Sequence, residues 1–505
     1  MHMQRRGLYA ILLIGILAGS VIPAGAVQTA PAPGEHTTSI GCNTTADLPA
    51  WADGMFNGTI SRAGEVTGDV TGYVRLGRTS QRGFFSGTWN TETGQGRARG
   101  FFFGRLLVGQ RTISGGSPPV PLLGILQSDA SRFSVRLLSP PGRQLQVSGV
   151  RHASFLPKPD GPYDIGTTTM HLVDREREER FTDDPADSRE IMLQFWYPAA
   201  DSNDDRAAYM DPETFDWLKH ESPIPLFWIP DGGYTSAMPH AVRNAPAVPG
   251  ETFPVLLFSH GYDGVREIYT SLVEELVSHG YIVAAVQHPY VAGVTVFPDG
   301  RVVEHQPAPA DPGEAEAYFE MAFDSVTGDI DFVLDCLPGM DIPLQASFDL
   351  DRVGIYGHSF GGGASAAACN RDDRVLAGAA LDGYFYSDVV ENGSKKPFLS
   401  LLADGHFERD ASLQQMWNRT QSDIYMATAA GAAHYSYTDV GLLLTHVAPL
   451  IPRRAVGFGS IEPRRLVEIA NAYTLAFFDA YLKEQPLDAL LNLAGRYPEV
   501  TFDYK

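Results

Sequence analysis

The stretch Gly357-His358-Ser359-Phe360-Gly361, which continues into Gly362 and Gly363, decides the fold of this chain. A run of β-type residues, 352–356, leads into it, and a run of small residues, 364–368, leads out. A strand, a sharp turn that carries a serine and a helix of small residues make up a nucleophile elbow, in which the serine hydroxyl projects towards a substrate carbonyl. This layout predicts a serine hydrolase. A glycine-rich loop with an ordinary surface serine is the alternative.

Strands and helices alternate around the elbow. Apolar runs typical of buried strands occupy residues 254–258, 281–286, 353–356, 376–381 and 398–402, and helical patterns occupy 268–277 and 464–482. Repeated strand–helix units predict a mostly parallel sheet with helices on both faces. Among such folds the elbow selects the α/β-hydrolase fold, for a catalytic domain at residues 155–505.

Residues 49–150 have a different sequence pattern, made up of short β-type runs without helical patterns between them. Short β-type runs at 72–76, 83–85, 100–107, 132–138 and 144–147 alternate with turn signals. They predict a small all-β N-terminal domain, and strands packed onto the hydrolase as an embellishment are the alternative. Residues 51–150 hold eleven Arg, no Lys and five acidic residues, in a chain whose net charge is −22. This asymmetry indicates separate domains. A basic domain suits contact with an anionic envelope glycan, a lipid surface or the acidic remainder of the chain.

The first 48 residues are expected to lie outside the fold. Arg5 and Arg6 precede an apolar run, 7–22, and Ala24-Gly25-Ala26 forms a small-x-small cleavage site. This pattern predicts a signal peptide at residues 1–26 and a flexible lead-in at 27–48, and therefore a secreted or cell-envelope protein. An uncleaved membrane anchor is the alternative, although the apolar run is short for a spanning helix.

The composition narrows the classes of partner and cofactor. The net charge of −22 argues against nucleic acid as a partner. No group of His, Cys, Asp and Glu shows the spacing of a metal site, so neither a metal nor a cofactor is expected. Only three cysteines are present, Cys42, Cys336 and Cys369, so the fold does not depend on a disulfide framework. The last two fall in helical patterns, where burial is expected.

A serine nucleophile needs a histidine base and an acid that orients this base, in the chain order serine, acid, histidine. Two acids compete for the role. Asp382 directly follows the run 376–381, and Asp404 follows the run 398–402. Both are predicted at the carboxyl ends of parallel strands, where catalytic groups gather. Position alone slightly favours Asp404, because a late strand is the commoner place for the acid.

His434 is the preferred base, since it lies in a loop, 431–436, after the β-type run 424–427. The other downstream histidines fit less well. His406 is too close to the strand end at Asp404, and His446 falls in a helical pattern. His358, inside the elbow, is expected to support the turn. A structural histidine is the alternative interpretation of His434.

The oxyanion needs two backbone donors. One is the amide that follows the nucleophile, Phe360, and the other comes from an earlier strand–loop junction. Phe258-Ser259-His260-Gly261-Tyr262 is such a junction, because the strand 254–258 ends in it and the Tyr262 amide can point into the pocket. An ordinary glycine turn is the alternative.

With these residues in place, the chain resembles the platelet-activating factor acetylhydrolases of the plasma and intracellular type II kind. The resemblance spans roughly residues 155–485. It is carried by five blocks, which are Gly161–Gly166, Phe258–Gly261 with Ser278–His288, Gly357–Gly362, Ala380–Gly383 and Gly431–His434. The family's acid follows its Ala-Leu block, so the resemblance implies Asp382 as the acid. It also implies calcium-independent hydrolysis of short or oxidised acyl esters on phospholipids.

The resulting prediction is a secreted serine esterase with the triad Ser359, Asp382 and His434. Polyester hydrolases and cutinases are the nearest alternative, since they are similar at His-Gly-Tyr, which ends here in Tyr262, and at Ser-x-Gly-Gly-Gly. They place the acid later, nearer Asp404. A surface-binding protein with an inert hydrolase-like domain is an alternative from another class, against which the complete triad argues.

Overall fold

The computed structural model describes strand segments between residues 54 and 151, and then residues 156–200, 206–223, 237, 239–447 and 457–505. The signal peptide expected at residues 1–26 and the lead-in expected at 27–48 lie outside these described residues. Within the described part, no helix combines the length and the apolar character needed to cross a membrane.

Eight antiparallel strands form a closed barrel in the N-terminal part of the chain, in the order β1 to β8 with β8 paired to β1. They are β1 Gly54–Arg62, β2 Glu65–Leu76, β3 Arg82–Thr91, β4 Gly94–Phe103, β5 Leu106–Ile113, β6 Val120–Ser128, β7 Arg132–Leu137 and β8 Leu145–Arg151. The all-β expectation is confirmed, but the strands are longer than expected. The run 100–107 is divided between β4 and β5, which pair so that Phe103 faces Leu106.

A ten-stranded sheet forms the second structure, in the order β11-β9-β10-β13-β12-β16-β17-β18-β19-β20. Its strands, with the β14–β15 hairpin, are β9 Asp164–Glu178, β10 Ser188–Ala199, β11 Val242–Arg243, β12 Phe253–Ser259, β13 Ile282–Gln287, β14 Val294–Val296, β15 Val302–Glu304, β16 Phe348–His358, β17 Val375–Leu381, β18 Phe398–Leu402, β19 Ile424–Ala429 and β20 Val500–Tyr504. The six neighbouring strands β13, β12, β16, β17, β18 and β19 are parallel, whereas β9/β10, β10/β13 and β19/β20 are antiparallel pairs. The predicted α/β-hydrolase sheet is therefore present.

Helices cover both faces of this sheet. They are α1 Pro212–His220, α2 Thr270–Ser278, α3 Pro312–Cys336, α4 Phe360–Arg371, α5 Ser387–Asn392, α6 His406–Arg409, α7 Ala411–Arg419, α8 Val440–Val447, α9 Pro463–Leu482, α10 Asp488–Leu491 and α11 Leu493–Arg496. Alternate residues of β12 face opposite sides. Leu256 belongs to a core cluster with residues of α2, α8 and α9, and Leu257 belongs to a second cluster with residues of α3 and α4. Two buried faces explain why the strand is apolar throughout.

A buried ion network ties β10 to α3. Arg189 is 2 % exposed and donates to both carboxylate oxygens of Asp329, at 3.0 and 2.7 Å, and to Glu179 at 2.8 Å. Burial alone would raise the pKa of Asp329, but Arg189 and His288 lower it below its usual range. Each buried charge has a partner of opposite sign, so removing one member would leave the others buried without compensation.

We expect Arg189→Leu to destabilise the protein by about 3–5 kcal/mol, because it leaves Asp329 and Glu179 buried without their main cation. Arg301→Leu is the matched control. Arg301 also pairs with a carboxylate, Glu190 at 2.7 Å, but its side chain is 49 % exposed, so the expected cost is below about 1 kcal/mol. Thermal unfolding of both variants checks the difference. Equal losses would contradict the role given to burial.

Candidate active site

Ser359 lies in a sharp turn between β16 and α4. Its backbone has φ 56° and ψ −120°, a conformation that costs a non-glycine residue about 1–3 kcal/mol. The turn is possible because the residues two positions before and after Ser359, Gly357 and Gly361, have no side chains. A Cβ on Gly361 would lie 2.3 Å from the carbonyl oxygens of Ser259 and His260. The sequence of the elbow therefore folds as predicted, with the serine at its apex.

Ser359, His434 and Asp382 form one chain of hydrogen bonds. His434 begins a short 3-10 turn, His434–Tyr437, that follows β19, and Asp382 follows β17 with φ 49°. The His434 Nε2 lies 2.8 Å from Ser359 Oγ, and its Nδ1 lies 2.6 Å from Asp382 Oδ2. Because a carboxylate only accepts, Nδ1 carries the proton and Nε2 is free to accept the one on the serine hydroxyl.

Asp404, which strand position slightly favoured as the acid, is placed elsewhere. It follows β18, but its Oδ2 accepts the Gly431 amide at 2.9 Å, and its own amide donates to the Ala432 carbonyl at 3.1 Å. Asp404 thus holds the loop before His434 instead of the His434 ring. Strand position alone could not separate the two acids, since β17 and β18 are adjacent and both end at this edge.

His406, which sequence reasoning set aside, contacts the same carboxylate as His434. Its Nδ1 lies 2.5 Å from Asp382 Oδ1, and its Nε2 lies 3.2 Å from Asp410 Oδ2. Burial alone would lower the pKa of His406, but hydrogen bonds to the two carboxylates outweigh it and raise the pKa to about 9. The i, i+4 spacing of His406 and Asp410, directly after a strand next to that of Asp382, is the signal that could have found it.

His358 supports the turn as expected. Its Nε2 donates to the His434 carbonyl at 3.0 Å, and its Nδ1 accepts from the Tyr269 hydroxyl at 2.9 Å. Burial, with the nearby His434, lowers the pKa of His358 to about 3. A neutral ring is the form that can both donate and accept, so the hydrogen bonds and the protonation state agree.

The two amides proposed for the oxyanion come from elements on either side of Ser359. Phe360 is the first residue of α4, so its N–H is among those without an intrahelical acceptor. Tyr262 follows Gly261, and a Cβ on Gly261 would lie 3.2 Å from Ser359 Cβ, which shows how close the two segments are. The Gly261 carbonyl accepts from the His260 Nδ1 at 2.8 Å and from the Gly264 amide at 2.9 Å.

Aromatic rings gather beside the nucleophile. Phe360 is at the centre, with ring centroids 5.9 Å from Tyr262, 5.6 Å from Phe323 and 5.8 Å from Tyr386. Tyr384 is 43 % exposed and lies 5.6 Å from the His434 ring. A cavity of about 520 Å³ on the acid side of the triad is lined by residues that include Asp382, His406 and His434.

One group of side chains among the described residues has the spacing of metal ligands, namely Asp160, Glu275 and His279. His279 follows α2 and precedes β13, so the group lies at the amino edge of the sheet, away from the triad at the carboxyl edge. His279 already donates to both carboxylates, and Asp160 is exposed. The group therefore has no part in the chemistry at Ser359.

The parallel sheet and the serine elbow define an α/β-hydrolase, and the enzyme class is that of the carboxylic ester hydrolases. The chain belongs to the family described as "Platelet-activating factor acetylhydrolase, isoform II", whose sequence pattern matches residues 148–307 and 339–490. The fold expectation and the family resemblance are thereby confirmed.

Known proteins similar to this chain include both animal and microbial enzymes. A platelet-activating factor acetylhydrolase of Cavia porcellus is 24% identical over 366 residues, which cover 67% of this chain and 80% of that protein. A probable 1-alkyl-2-acetylglycerophosphocholine esterase of Arthroderma benhamiae is 23% identical, over 70% of this chain and 95% of its own. The solved ferulic acid esterase from Streptomyces cinnamoneus is 28% identical, with a TM-score of 0.59 over 70% of this chain and 99% of its own.

Proposed function

We propose that this protein is a secreted serine esterase in which Ser359 is the nucleophile, His434 the general base and Asp382 the acid that orients the base. The observation that carries the proposal is the unbroken hydrogen-bond chain from Ser359 Oγ through His434 to Asp382. Burial alone would raise the pKa of Asp382, but hydrogen bonds from His406 and His434 lower it below its usual range. Asp382 therefore stays ionised and stabilises the His434 imidazolium.

In the proposed acylation step, Ser359 Oγ attacks the ester carbonyl carbon while His434 Nε2 takes the hydroxyl proton. The carbonyl electrons move onto oxygen, where the amides of Phe360 and Tyr262 stabilise the negative charge. Collapse expels the alcohol, which takes the proton from His434 and leaves the acyl group on Ser359. Water then attacks the acyl-enzyme with His434 as base, and the free acid and the serine hydroxyl are restored.

The proposed substrates are short-chain carboxylic esters, including acetyl esters of phospholipids. Family membership and the name of the Cavia porcellus relative support this choice. The pattern Arg5–Ala26 supports export, which N-terminal sequencing of the mature protein would test. Contact with an anionic envelope or a lipid surface through the basic N-terminal part remains a part of the proposal.

A second candidate is hydrolysis of ferulic acid-type aromatic esters. It is favoured by the solved Streptomyces cinnamoneus enzyme, which is similar over most of its length. The rings around Phe360 also favour it, because aromatic faces and edges such as those of Tyr262 and Tyr386 can pack on an aromatic acyl group. The polyester-hydrolase alternative is less favoured, since it placed the acid near Asp404.

A substrate panel distinguishes these candidates. We expect kcat/KM for an sn-2 acetyl phosphatidylcholine and for p-nitrophenyl acetate to exceed that for p-nitrophenyl esters of eight or more acyl carbons by at least about tenfold. One methylene group changes discrimination by about 1–3 kcal/mol, so the extra methylenes of a long acyl chain that does not fit the pocket suffice for this factor. Methyl ferulate is assayed in parallel, with the Ser359→Ala variant as the blank. A clear preference for methyl ferulate would favour the second candidate. No Ser359-dependent turnover of any of these esters would overturn both.

A further inference from the structure

We infer that His406 is a positioning residue, whose cationic ring holds one carboxylate oxygen of Asp382 so that the other oxygen is kept in place to accept the hydrogen bond from His434 Nδ1. The inference deepens the proposed function and rests on it, because it concerns the same acid and base.

The Asp382 carboxylate is held from three directions. Its Oδ1 accepts the Ala403 amide at 2.7 Å and the His406 Nδ1 at 2.5 Å, and its Oδ2 accepts the His434 Nδ1. The carboxylate is 3 % exposed, so water does not compete for these positions. With both contacts on Oδ1, the carboxyl group cannot rotate without breaking them. His406 thereby fixes the plane in which Oδ2 meets His434.

His406 carries a positive charge for a geometric reason. Both of its ring nitrogens face carboxylate oxygens, Oδ1 of Asp382 and Oδ2 of Asp410. A neutral imidazole has only one N–H, and a carboxylate has none, so both contacts are made only when the ring is an imidazolium. The raised pKa of about 9 agrees, and it keeps the ring charged throughout the neutral range.

The surroundings of His406 match its positive charge. The titratable and charged side chains that line the same cavity are Asp382, Asp404, Arg409, Asp410, His434 and Tyr384, whose ring centroid lies 4.9 Å from that of His406. Asp410 carries a negative charge, since its pKa is lowered to about 2. His406 lies between Asp410 and Asp382, and these two carboxylates stabilise its charge and hold its ring against Asp382.

The test compares His406→Asn with His406→Phe in the full-length enzyme. The Asn side-chain amide can donate to Asp382 Oδ1 as the His406 Nδ1 does, but it has no charge. For His406→Asn we therefore expect kcat for p-nitrophenyl acetate to stay within about tenfold of the wild type, with KM unchanged. Asp410→Asn keeps His406 and Asp382 and can still cap α7, so its loss should be no larger.

His406→Phe and His220→Asn complete the series. His406→Phe removes the donor as well as the charge, so Asp382 can rotate, and we expect kcat to fall by about tenfold to a hundredfold with KM unchanged. His220 forms a similar i, i+4 pair with Asp216 on α1, but both of these side chains are exposed, and His220→Asn should leave kcat and KM unchanged.

A loss of kcat in His406→Phe that His406→Asn restores, at constant KM, supports the inference, because a merely structural role would lower thermal stability without this split. Wild-type kcat in folded His406→Phe overturns it. If His406→Phe does not fold, His406→Asn decides, since a kcat within about tenfold of the wild type supports the inference and a larger loss overturns it. Failure of the proposed function is distinguishable, since Ser359→Ala would then remain active, whereas failure of this inference alone leaves Ser359→Ala inactive.

Discussion

Ser359→Ala is expected to lower kcat/KM for p-nitrophenyl acetate by at least about a thousandfold, the largest single effect in this protein. Alanine has no hydroxyl, so no acyl-enzyme can form, and His434 loses the group from which it takes a proton. Any remaining rate would come from the oxyanion donors and substrate binding, which alone give some acceleration over water. Steady-state kinetics at the pH optimum measures the loss.

The control for this variant is Ser325→Ala. Ser325 lies in α3, and its hydroxyl only donates to the Met321 carbonyl within the helix, so activity should remain within a few-fold. A fluorophosphonate probe adds a direct readout, since it should label the wild-type enzyme and Ser325→Ala but not Ser359→Ala. Near-normal turnover by folded Ser359→Ala would show that another residue is the nucleophile.

Asp382→Asn is expected to have the second largest effect, a loss of about 10²–10⁴ in kcat/KM. The amide can turn its N–H towards His434 Nδ1, which then has to accept, so that Nε2 carries the proton and cannot take one from Ser359. The amide also cannot stabilise the His434 imidazolium as a carboxylate does. The same kinetic assay applies, with thermal unfolding to confirm that the variant is folded.

Asp404→Asn is the matched partner in this comparison. Its carboxylate accepts only the Gly431 amide among the described hydrogen bonds, and an asparagine oxygen can replace that contact. We expect activity within a few-fold of the wild type. The assignment of the acid would be wrong if Asp404→Asn were the inactive variant and Asp382→Asn retained activity.

The elbow and the sheet were predictable because their signals are local. A β-type run, a serine between glycines and a run of small residues leave few conformations that bury the strand and still pack the helix, and the structure has this arrangement from β16 to α4. The order serine, acid, histidine also pointed to His434, whose ring meets Ser359. Local patterns and chain order were thus enough to single out two residues whose side chains meet in the structure.

What the sequence could not provide depends on distances across the sheet. Asp382 and Asp404 both follow parallel strands, and only the three-dimensional packing shows that Asp382 reaches His434 while Asp404 holds the Gly431 loop. The position of His406 on Asp382 depends on the same packing. The closure of the N-terminal barrel was also hidden, because it requires β1 to pair with β8, about 90 residues later in the chain.

The hydrogen bond from His260 to the Gly261 carbonyl has a consequence for the rate of the reaction. That carbonyl and the Tyr262 N–H belong to one planar peptide unit, so fixing the oxygen also fixes the direction of the N–H on the opposite side. The His260 Nε2 in turn accepts the His288 amide at 3.2 Å, and burial lowers the pKa of His260, which keeps the ring neutral and in one tautomer. If Tyr262 donates to the oxyanion as we propose, a dipole fixed in this way needs no reorientation when the negative charge appears. A side chain that never touches the substrate would thus remove part of the activation barrier in advance.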